Sequence, residues 1–164
     1  MRDDVSRLFD DARGRLAGLP REALGEIREP GRVRAVLGAG PRMTRVGDAW
    51  RVGALLIGDT EVLEADEVLR AQDPGRRGYA AESARRRAEL RALALRGGFA
   101  AGETVNLGWR AIDLPAVAAG GSDGPLTWDG DRAMIRWAAS GALMPLASYL
   151  AERIDLLRDP PGGA

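Results

Sequence analysis

Apolar residues recur at helical spacing near both ends of the chain. Residues 3–18 carry apolar side chains in steps of three and four, which predicts an amphipathic helix. This first stripe consists of Val5, Leu8, Phe9, Ala12 and Leu16. A second helix is predicted from Pro145 to about Arg158 on the same grounds. Its apolar stripe consists of Leu143, Leu146, Leu150, Ile154 and Leu157.

Two more helices are predicted inside the chain. Proline suits the first turn of a helix, so we expect a short helix from Pro20 to about Ile27. Residues 80–96 give the strongest internal helical pattern, ended by Gly97-Gly98. Its arginine-rich side is expected to face solvent, while a small apolar stripe packs against a sheet. That stripe consists of Ala81, Ala84, Ala88, Ala92 and Leu95.

Glycine–aspartate pairs interrupt the strand-like segments. Between Arg32 and about Leu69 the pairs Gly47-Asp48 and Gly58-Asp59 separate apolar runs, and Gly130-Asp131 does so further along. Glycine adopts the positive φ of a two-residue turn at low cost, and aspartate tolerates it. The pairs therefore predict an antiparallel meander, with strand-like alternation returning over residues 103–114.

These elements together predict an α+β protein. We expect one antiparallel sheet of about five to seven strands, packed against the N-terminal, central and C-terminal helices. Residues 1–159 would form a single domain, and residues 160–164 a disordered tail. Two glycine-containing stretches, residues 73–78 and residues 118–124, are predicted to be loops, the second of them mobile.

The basic residues limit the chemistry that the chain can perform. All 24 of them are arginine, and the sequence contains no lysine, histidine or cysteine. A neutral-pH base, a thiolate nucleophile and a Schiff-base amine are therefore missing. Disulfide bonds and thiolate metal sites are excluded as well. We expect a non-catalytic protein that needs no cofactor and no metal.

The charge balance argues against two kinds of partner. Twenty-four acidic residues bring the formal net charge to zero, whereas proteins that bind nucleic acids or anionic membranes normally carry a basic excess. The first residues show no apolar signal segment, and no run approaches the ~18 apolar residues of a membrane span. We expect a cytoplasmic protein without membrane or nucleic-acid partners.

Tryptophan makes up half of the few aromatic residues, and all four copies fall in predicted strands. Indole rings on one face of a sheet can line an apolar pocket, with an amide or an arginine as the polar contact. They can also fill the core between the sheet and the helices. The pocket hypothesis assigns the ligand contacts to Trp50, Asn106, Trp109, Arg110 and Trp137.

A short glycine motif favours a structural interpretation. Residues 36–41 resemble the phosphate-binding turn of proteins that bind flavin or nicotinamide dinucleotides. Met43 stands where the third glycine belongs, however, and too few residues follow for a crossover helix before the next predicted strand. We interpret the motif as a glycine-rich bend of a strand.

Two functions remain open from sequence. The first is a non-catalytic domain that binds a partner protein or a small, largely apolar ligand. It would act as a homodimer, in which the stripe from Leu143 to Leu157 pairs with a second copy. The alternative is a carboxylate-based hydrolase, with or without a divalent metal, that uses Asp59, Glu61 and Glu64 while Arg110 orients an anionic substrate.

Overall fold

The structure, a computed structural model, describes residues 1–65 and 77–162, with side chains from residue 81 onward in the second range. The described elements, in chain order, are α1 (Val5–Leu16), β1 (Glu22–Arg28), α2 (Arg32–Val36), β2 (Arg42–Val52), β3 (Leu55–Ile57), β4 (Val62–Glu64), α3 (Arg77–Arg96), β5 (Val105–Asn106), β6 (Arg110–Ala111), α4 (Leu114–Ala118), β7 (Leu126–Asp129), β8 (Arg132–Arg136), β9 (Leu143–Pro145) and α5 (Leu146–Arg158). The predicted loop over residues 73–78 lies mostly outside the described residues.

The chain divides into two compact units. The first unit consists of Met1–Arg21, Ala49–Ala65 and the chain from Trp109 onward. The second unit consists of Glu22–Asp48 and the chain between residue 65 and Trp109. A division of this kind does not decide whether residues 1–159 fold as one domain, so the single-domain prediction stays a prediction.

The strands form two sheets. The larger sheet has the order β5-β1-β2-β3-β4-β6, and the smaller one the order β7-β8-β9. β1 and β5 are parallel, whereas β2–β3, β3–β4 and β4–β6 and both pairs of the smaller sheet are antiparallel. The predicted α+β class is confirmed, but the larger sheet is mixed rather than wholly antiparallel, and a second sheet accompanies it.

The first unit has a continuous apolar core between its helices and strands. From α1 it buries Val5, Phe9, Ala12 and Leu16, so the predicted first stripe is confirmed apart from the half-buried Leu8. From α5 it buries Leu146, Tyr149, Leu150 and Ile154. The Asp4 side chain accepts a hydrogen bond from the Arg7 amide (3.1 Å) and so caps the start of α1.

The C-terminal stripe that was predicted to join two copies is largely occupied within its own chain. Leu146, Leu150 and Ile154 pack in the core of the first unit. Leu143 belongs to β9 and is 44% exposed, and Leu157 at the end of α5 is 43% exposed. The first three side chains are therefore not free to contact a second copy, although the homodimer itself stays a prediction.

The second unit has a smaller core. Its buried members are Ala23, Met43, Leu93 and Phe99, with half-buried apolar residues of α3 and β5 around them. The predicted α3 stripe is wrong, because Ala81, Ala84, Ala88 and Leu95 are exposed while Leu93 and its neighbours Leu90 and Ala94 face the core. Alanine methyl groups offer little area to bury, so the bulkier leucines decide which side of the helix packs inward.

Two of the three Gly-Asp pairs connect strands, as predicted. Gly58-Asp59 does connect β3 to β4, but as the first half of a four-residue connection over residues 58–61 rather than a two-residue turn; the Gly58 amide donates to the Glu61 carbonyl (2.9 Å). Gly130-Asp131 connects β7 to β8, with Gly130 at φ 58°. The third prediction is wrong because β2 runs straight through Gly47-Asp48. The chain reverses instead at Gly53, whose φ is 61°.

Several local predictions fail around the second unit. The predicted helix from Pro20 is the strand β1, whose Ala23 pairs with Val105 of β5. The strand-like stretch after Arg32 begins with the helix α2, so the motif over residues 36–41 follows a helix and turns at Gly38 (φ 81°). The alternating stretch over residues 103–114 is divided between β5 and β6.

The predicted mobile linker over residues 118–124 is a hydrogen-bonded turn after α4. The Gly121 amide donates to the Ala116 carbonyl (2.9 Å), and the Asp123 amide donates to the Leu126 carbonyl (3.1 Å). These bonds place the Asp123 carboxylate next to β6. The predicted disordered tail lies partly outside the described residues, and Pro160–Gly162 within it are exposed and carry no helix or strand.

Candidate functional site

The five predicted ligand contacts belong to different units and differ in burial. Trp50, Trp109, Arg110 and Trp137 lie in the first unit, and Asn106 lies in the second. Trp50 and Asn106 are each 6% exposed, whereas Trp137 is 43% exposed. The two buried residues are held by contacts within the protein, as their hydrogen bonds indicate. No observation tests the predicted pocket as such, so the assignment stays a prediction.

Trp50 is part of the first core and is covered by an arginine. Its indole Nε1 donates to the Leu19 carbonyl (3.0 Å). The guanidinium carbon of Arg21 lies 3.8 Å from the ring centroid, and an Arg21 nitrogen lies 2.5 Å from an Asp59 oxygen. A cation above an indole ring is attracted by the ring quadrupole. The arginine therefore closes the solvent side of Trp50 while the carboxylate fixes the arginine.

Trp128 repeats this arrangement at another edge of the first unit. Its Nε1 donates to the Val117 carbonyl (2.9 Å), and the guanidinium carbon of Arg2 lies 4.2 Å from its ring centroid. Arg2 and Trp128 are far apart in sequence, so no local pattern signals this contact. In both Trp50 and Trp128 the indole N–H donates to a backbone carbonyl and an arginine lies over the ring face, so these contacts fit a core role without a ligand.

Asn106 stabilises the parallel pair β1–β5 of the second unit. Its side-chain nitrogen donates to a Glu22 carboxylate oxygen (2.8 Å) and to the Ala23 carbonyl (3.3 Å). A buried amide without partners would cost free energy, and these bonds satisfy it. Asn106 therefore joins β5 to β1, which explains its position without a ligand.

Arg110 holds two carboxylates of the first unit. Its guanidinium nitrogens lie 2.8 Å from Asp123 and 3.2 Å from Glu64. Arg110, together with the Asp113 and Gly124 amides, lowers the pKa of Asp123 to about 2, and Asp123 in turn raises the pKa of Arg110. The arrangement connects β6, β4 and the turn after α4. The charge of Arg110 is thus already matched inside the protein.

The carboxylates of the hydrolase alternative have structural partners. A hydrogen bond and the charge of Arg21 hold the pKa of Asp59 below its usual value, which is the opposite of what a general acid requires. Glu61 accepts a hydrogen bond from the Thr60 hydroxyl (2.8 Å), and Glu64 pairs with Arg110. Within residues 1–65 and 77–162, no three acidic groups are grouped so that they could hold a metal ion.

An exposed apolar surface surrounds α2. We call residues 28–42 the α2 segment. α2 has no buried residue, and every residue from Gly31 to Arg42 is exposed. Val33, Val36 and Leu37 are 76%, 86% and 80% exposed. The segment carries four arginines and one glutamate. The sequence analysis missed this surface, although the spacing of its three apolar residues matches one face of a helix.

A second exposed surface lies at the end of α5. We call its members Glu152, Asp155, Leu156 and Asp159 the α5 patch; they line a shallow depression of about 450 Å³. Leu156 is 48% exposed. An Asp155 oxygen lies 2.6 Å from an Arg15 nitrogen, which fixes one of the carboxylates. The patch combines an apolar centre with three acidic groups.

Comparisons with protein families, with curated proteins and with solved structures found no match to this chain. None of the described helices is both long and apolar enough to cross a bilayer. Function has to be inferred from the side chains and surfaces described above.

Proposed function

We propose that the chain is a non-catalytic binding module that acts as a homodimer, in which the α2 segment of each copy docks on the α5 patch of the other. The observation that carries this proposal is the exposure of Val33, Val36 and Leu37. Large apolar side chains that cluster on a surface without contacting a core are typical of interaction sites.

The isolation of α2 supports a role in association. Its five residues are held by backbone hydrogen bonds, such as the one from the Ala35 amide to the Gly31 carbonyl (2.9 Å). A single helical turn is unstable on its own in water, and no core contact of α2 compensates for this. A partner surface that covers the three apolar side chains would supply the missing burial.

Charge complementarity favours a second copy as that partner. The α2 segment surrounds its apolar residues with arginines, whereas the α5 patch surrounds Leu156 with carboxylates. Opposite charges around apolar centres steer two surfaces together and select the correct partner. Two such contacts, formed reciprocally, close a two-fold dimer. This proposal keeps the predicted homodimer but replaces the buried leucine stripe with exposed residues.

The first experiment measures the molar mass of the protein by sedimentation equilibrium. The wild type is expected to be a dimer, and the triple variant Val33→Ser, Val36→Ser, Leu37→Ser a folded monomer whose circular dichroism spectrum changes by no more than the loss of the five-residue α2. Leu95→Ser, which changes another exposed leucine of the second unit, is the matched control and should remain dimeric. A wild type that stays monomeric at its highest accessible concentration would refute the homodimer.

The second experiment identifies the contact by exchanging charges. One variant carries Arg32→Glu and Arg34→Glu, and the other carries Glu152→Arg and Asp159→Arg. Each variant alone should be monomeric, because both of its reciprocal contacts place like charges together. Mixed in equal amounts, the two variants should form a heterodimer in which one contact is native and the other has both charges reversed. A mixture of two folded variants that stays monomeric would exclude this pairing.

A further inference from the structure

A groove in the second unit shares residues 39–42 with the α2 segment but includes neither its apolar residues Val33, Val36 and Leu37 nor the α5 patch. It encloses about 840 Å³, and nine described residues line it, all from residues 39–44 and from the end of α3. Ligand sites for small molecules typically occupy about 300–1,000 Å³. The groove is therefore large enough for a small ligand, and it is formed within a single unit.

The floor of the groove is apolar. Met43 of β2 and Leu93 of α3 line it, and both are buried members of the second core, 2% and 9% exposed. Gly97 brings the end of α3 close to β2, since a Cβ atom at this position would overlap the Met43 carbonyl oxygen. A larger residue at Gly97 would force the helix end away from β2. The glycine therefore keeps the end of α3 close to β2 beside the groove.

The charges of the groove have one sign. Arg42 and Arg96 belong to its lining, and none of the nine lining residues is acidic. Neither guanidinium group forms an ion pair with any residue that the structure describes. Two unmatched cations beside an apolar floor fit a ligand with one anionic end.

The backbone at the end of α3 does not cancel this attraction. The last carbonyl groups of a helix carry partial negative charge, which would repel an anion. Here the Gly97 amide donates to the Leu93 carbonyl (3.0 Å), and the Phe99 amide donates to the Ala94 carbonyl (3.1 Å). A helix end carries only about half an elementary charge, so the two full positive charges of Arg42 and Arg96 are the dominant charges of the lining.

We propose that this groove binds a small amphipathic anion, whose carboxylate or phosphate contacts Arg42 and Arg96 while its apolar chain lies over Met43 and Leu93. The site goes beyond the proposed homodimer, because it uses neither Val33, Val36 and Leu37 nor the α5 patch. It also differs from the tryptophan-lined pocket that the sequence analysis predicted.

Isothermal titration calorimetry with four probes tests the ligand class. Decanoate and decyl phosphate, each below its critical micelle concentration, should bind with one molecule per chain. The tighter of the two identifies the anionic group. The neutral 1-decanol should bind at least about tenfold more weakly, since it loses the charge-assisted hydrogen bonds to arginine. Inorganic phosphate alone should give no measurable heat. Equal affinity for 1-decanol and decanoate would overturn the proposal.

Variants locate the site. The double variant Arg42→Gln, Arg96→Gln should weaken decanoate binding by about tenfold or more, whereas Arg85→Gln, Arg86→Gln removes two exposed arginines elsewhere on α3 and should not. Gly40 lines the groove, and a Cβ atom at this position meets no neighbouring atom. The protein should therefore tolerate Gly40→Trp, and the indole ring should fill the groove and abolish binding. Gly14→Trp, at an equally open position of α1, is its control. Unchanged binding in both groove variants would place the ligand elsewhere and refute the proposal.

Discussion

The two units differ in how they use their apolar residues. Eighteen described residues of the first unit join one buried cluster, whereas the corresponding cluster of the second unit has four. The second unit instead exposes Val33, Val36 and Leu37 and forms a groove over its small core. We therefore expect the first unit to supply most of the stability, whereas two of the three proposed binding surfaces, the α2 segment and the groove, lie in the second unit.

Matched leucine substitutions test this difference most strongly. Leu16→Ala removes a fully buried side chain of the first core and should lower the free energy of unfolding by about 4 kcal/mol. Leu93→Ala, in the smaller and shallower second core, should cost about 2 kcal/mol. Urea denaturation followed by circular dichroism measures both values. The exposed Leu95→Ala is the control and should change the stability by less than about 0.5 kcal/mol. A Leu93→Ala loss equal to that of Leu16→Ala would refute the contrast.

Two glycines, one in each unit, differ in how closely their surroundings are packed. Gly53 and Gly38 both have positive φ, at 61° and 81°. At Gly53 a Cβ atom would overlap the Tyr149 hydroxyl, which accepts a hydrogen bond from the Ala54 amide (2.7 Å). At Gly38 a Cβ atom would meet only open space.

Gly38→Ala should therefore cost about 1 kcal/mol of backbone strain, and Gly53→Ala about 3 kcal/mol because overpacking adds to the strain. Thermal unfolding of the two variants beside the wild type gives the comparison. If both substitutions lower the stability equally, the turn at Gly53 is not packed as described.

The smallest effect concerns acid stability. Asp123 has a pKa of about 2 in the folded protein and a usual value of 3.8, so the unfolded chain binds more protons between these values. The stability contributed by Asp123 is present above about pH 4 and is lost as the pH falls towards 2. In Asp123→Asn the free energy of unfolding should fall less steeply between about pH 4 and pH 2 than in the wild type, as measured by urea denaturation at several pH values.

Glu103 gives the matched variant in the second unit. Arg45 and the Ala100 amide lower its pKa, so its contribution is also lost on acidification. Glu103→Gln should reduce the acid-induced loss of unfolding free energy less than Asp123→Asn does. An arginine and one amide lower the pKa of Glu103, whereas an arginine and two amides lower that of Asp123. A steeper decline in either variant would contradict the assigned direction of the pKa change.

Much of the fold follows from local sequence patterns. The helices α1, α3 and α5 and the strand connections at Gly58-Asp59 and Gly130-Asp131 depend on neighbouring residues, and these predictions are confirmed. β1 was mistaken for a helix because its partner β5 is about eighty residues away and invisible to local periodicity. Gly47-Asp48 has the composition of a turn, but β2 lies between β1 and β3 in the larger sheet and stays extended through both residues.

The candidate surfaces were harder to predict than the fold. The arginine–tryptophan contacts join residues as distant as Arg2 and Trp128, so only the tertiary structure brings them together. The groove combines residues 39–44 with the end of α3 for the same reason. The α2 surface, in contrast, carried a readable helical spacing. It was overlooked because the glycines after it suggested a bend within a strand.

The distribution of tryptophan has an optical consequence. Trp50, Trp109, Trp128 and Trp137 all belong to the first unit. Intrinsic tryptophan fluorescence therefore reports on that unit, whereas far-ultraviolet dichroism sums the helices of both units, with α1, α4 and α5 in the first and α2 and α3 in the second. Melting curves recorded with both signals can reveal, without any label, whether the two units unfold in one step or separately.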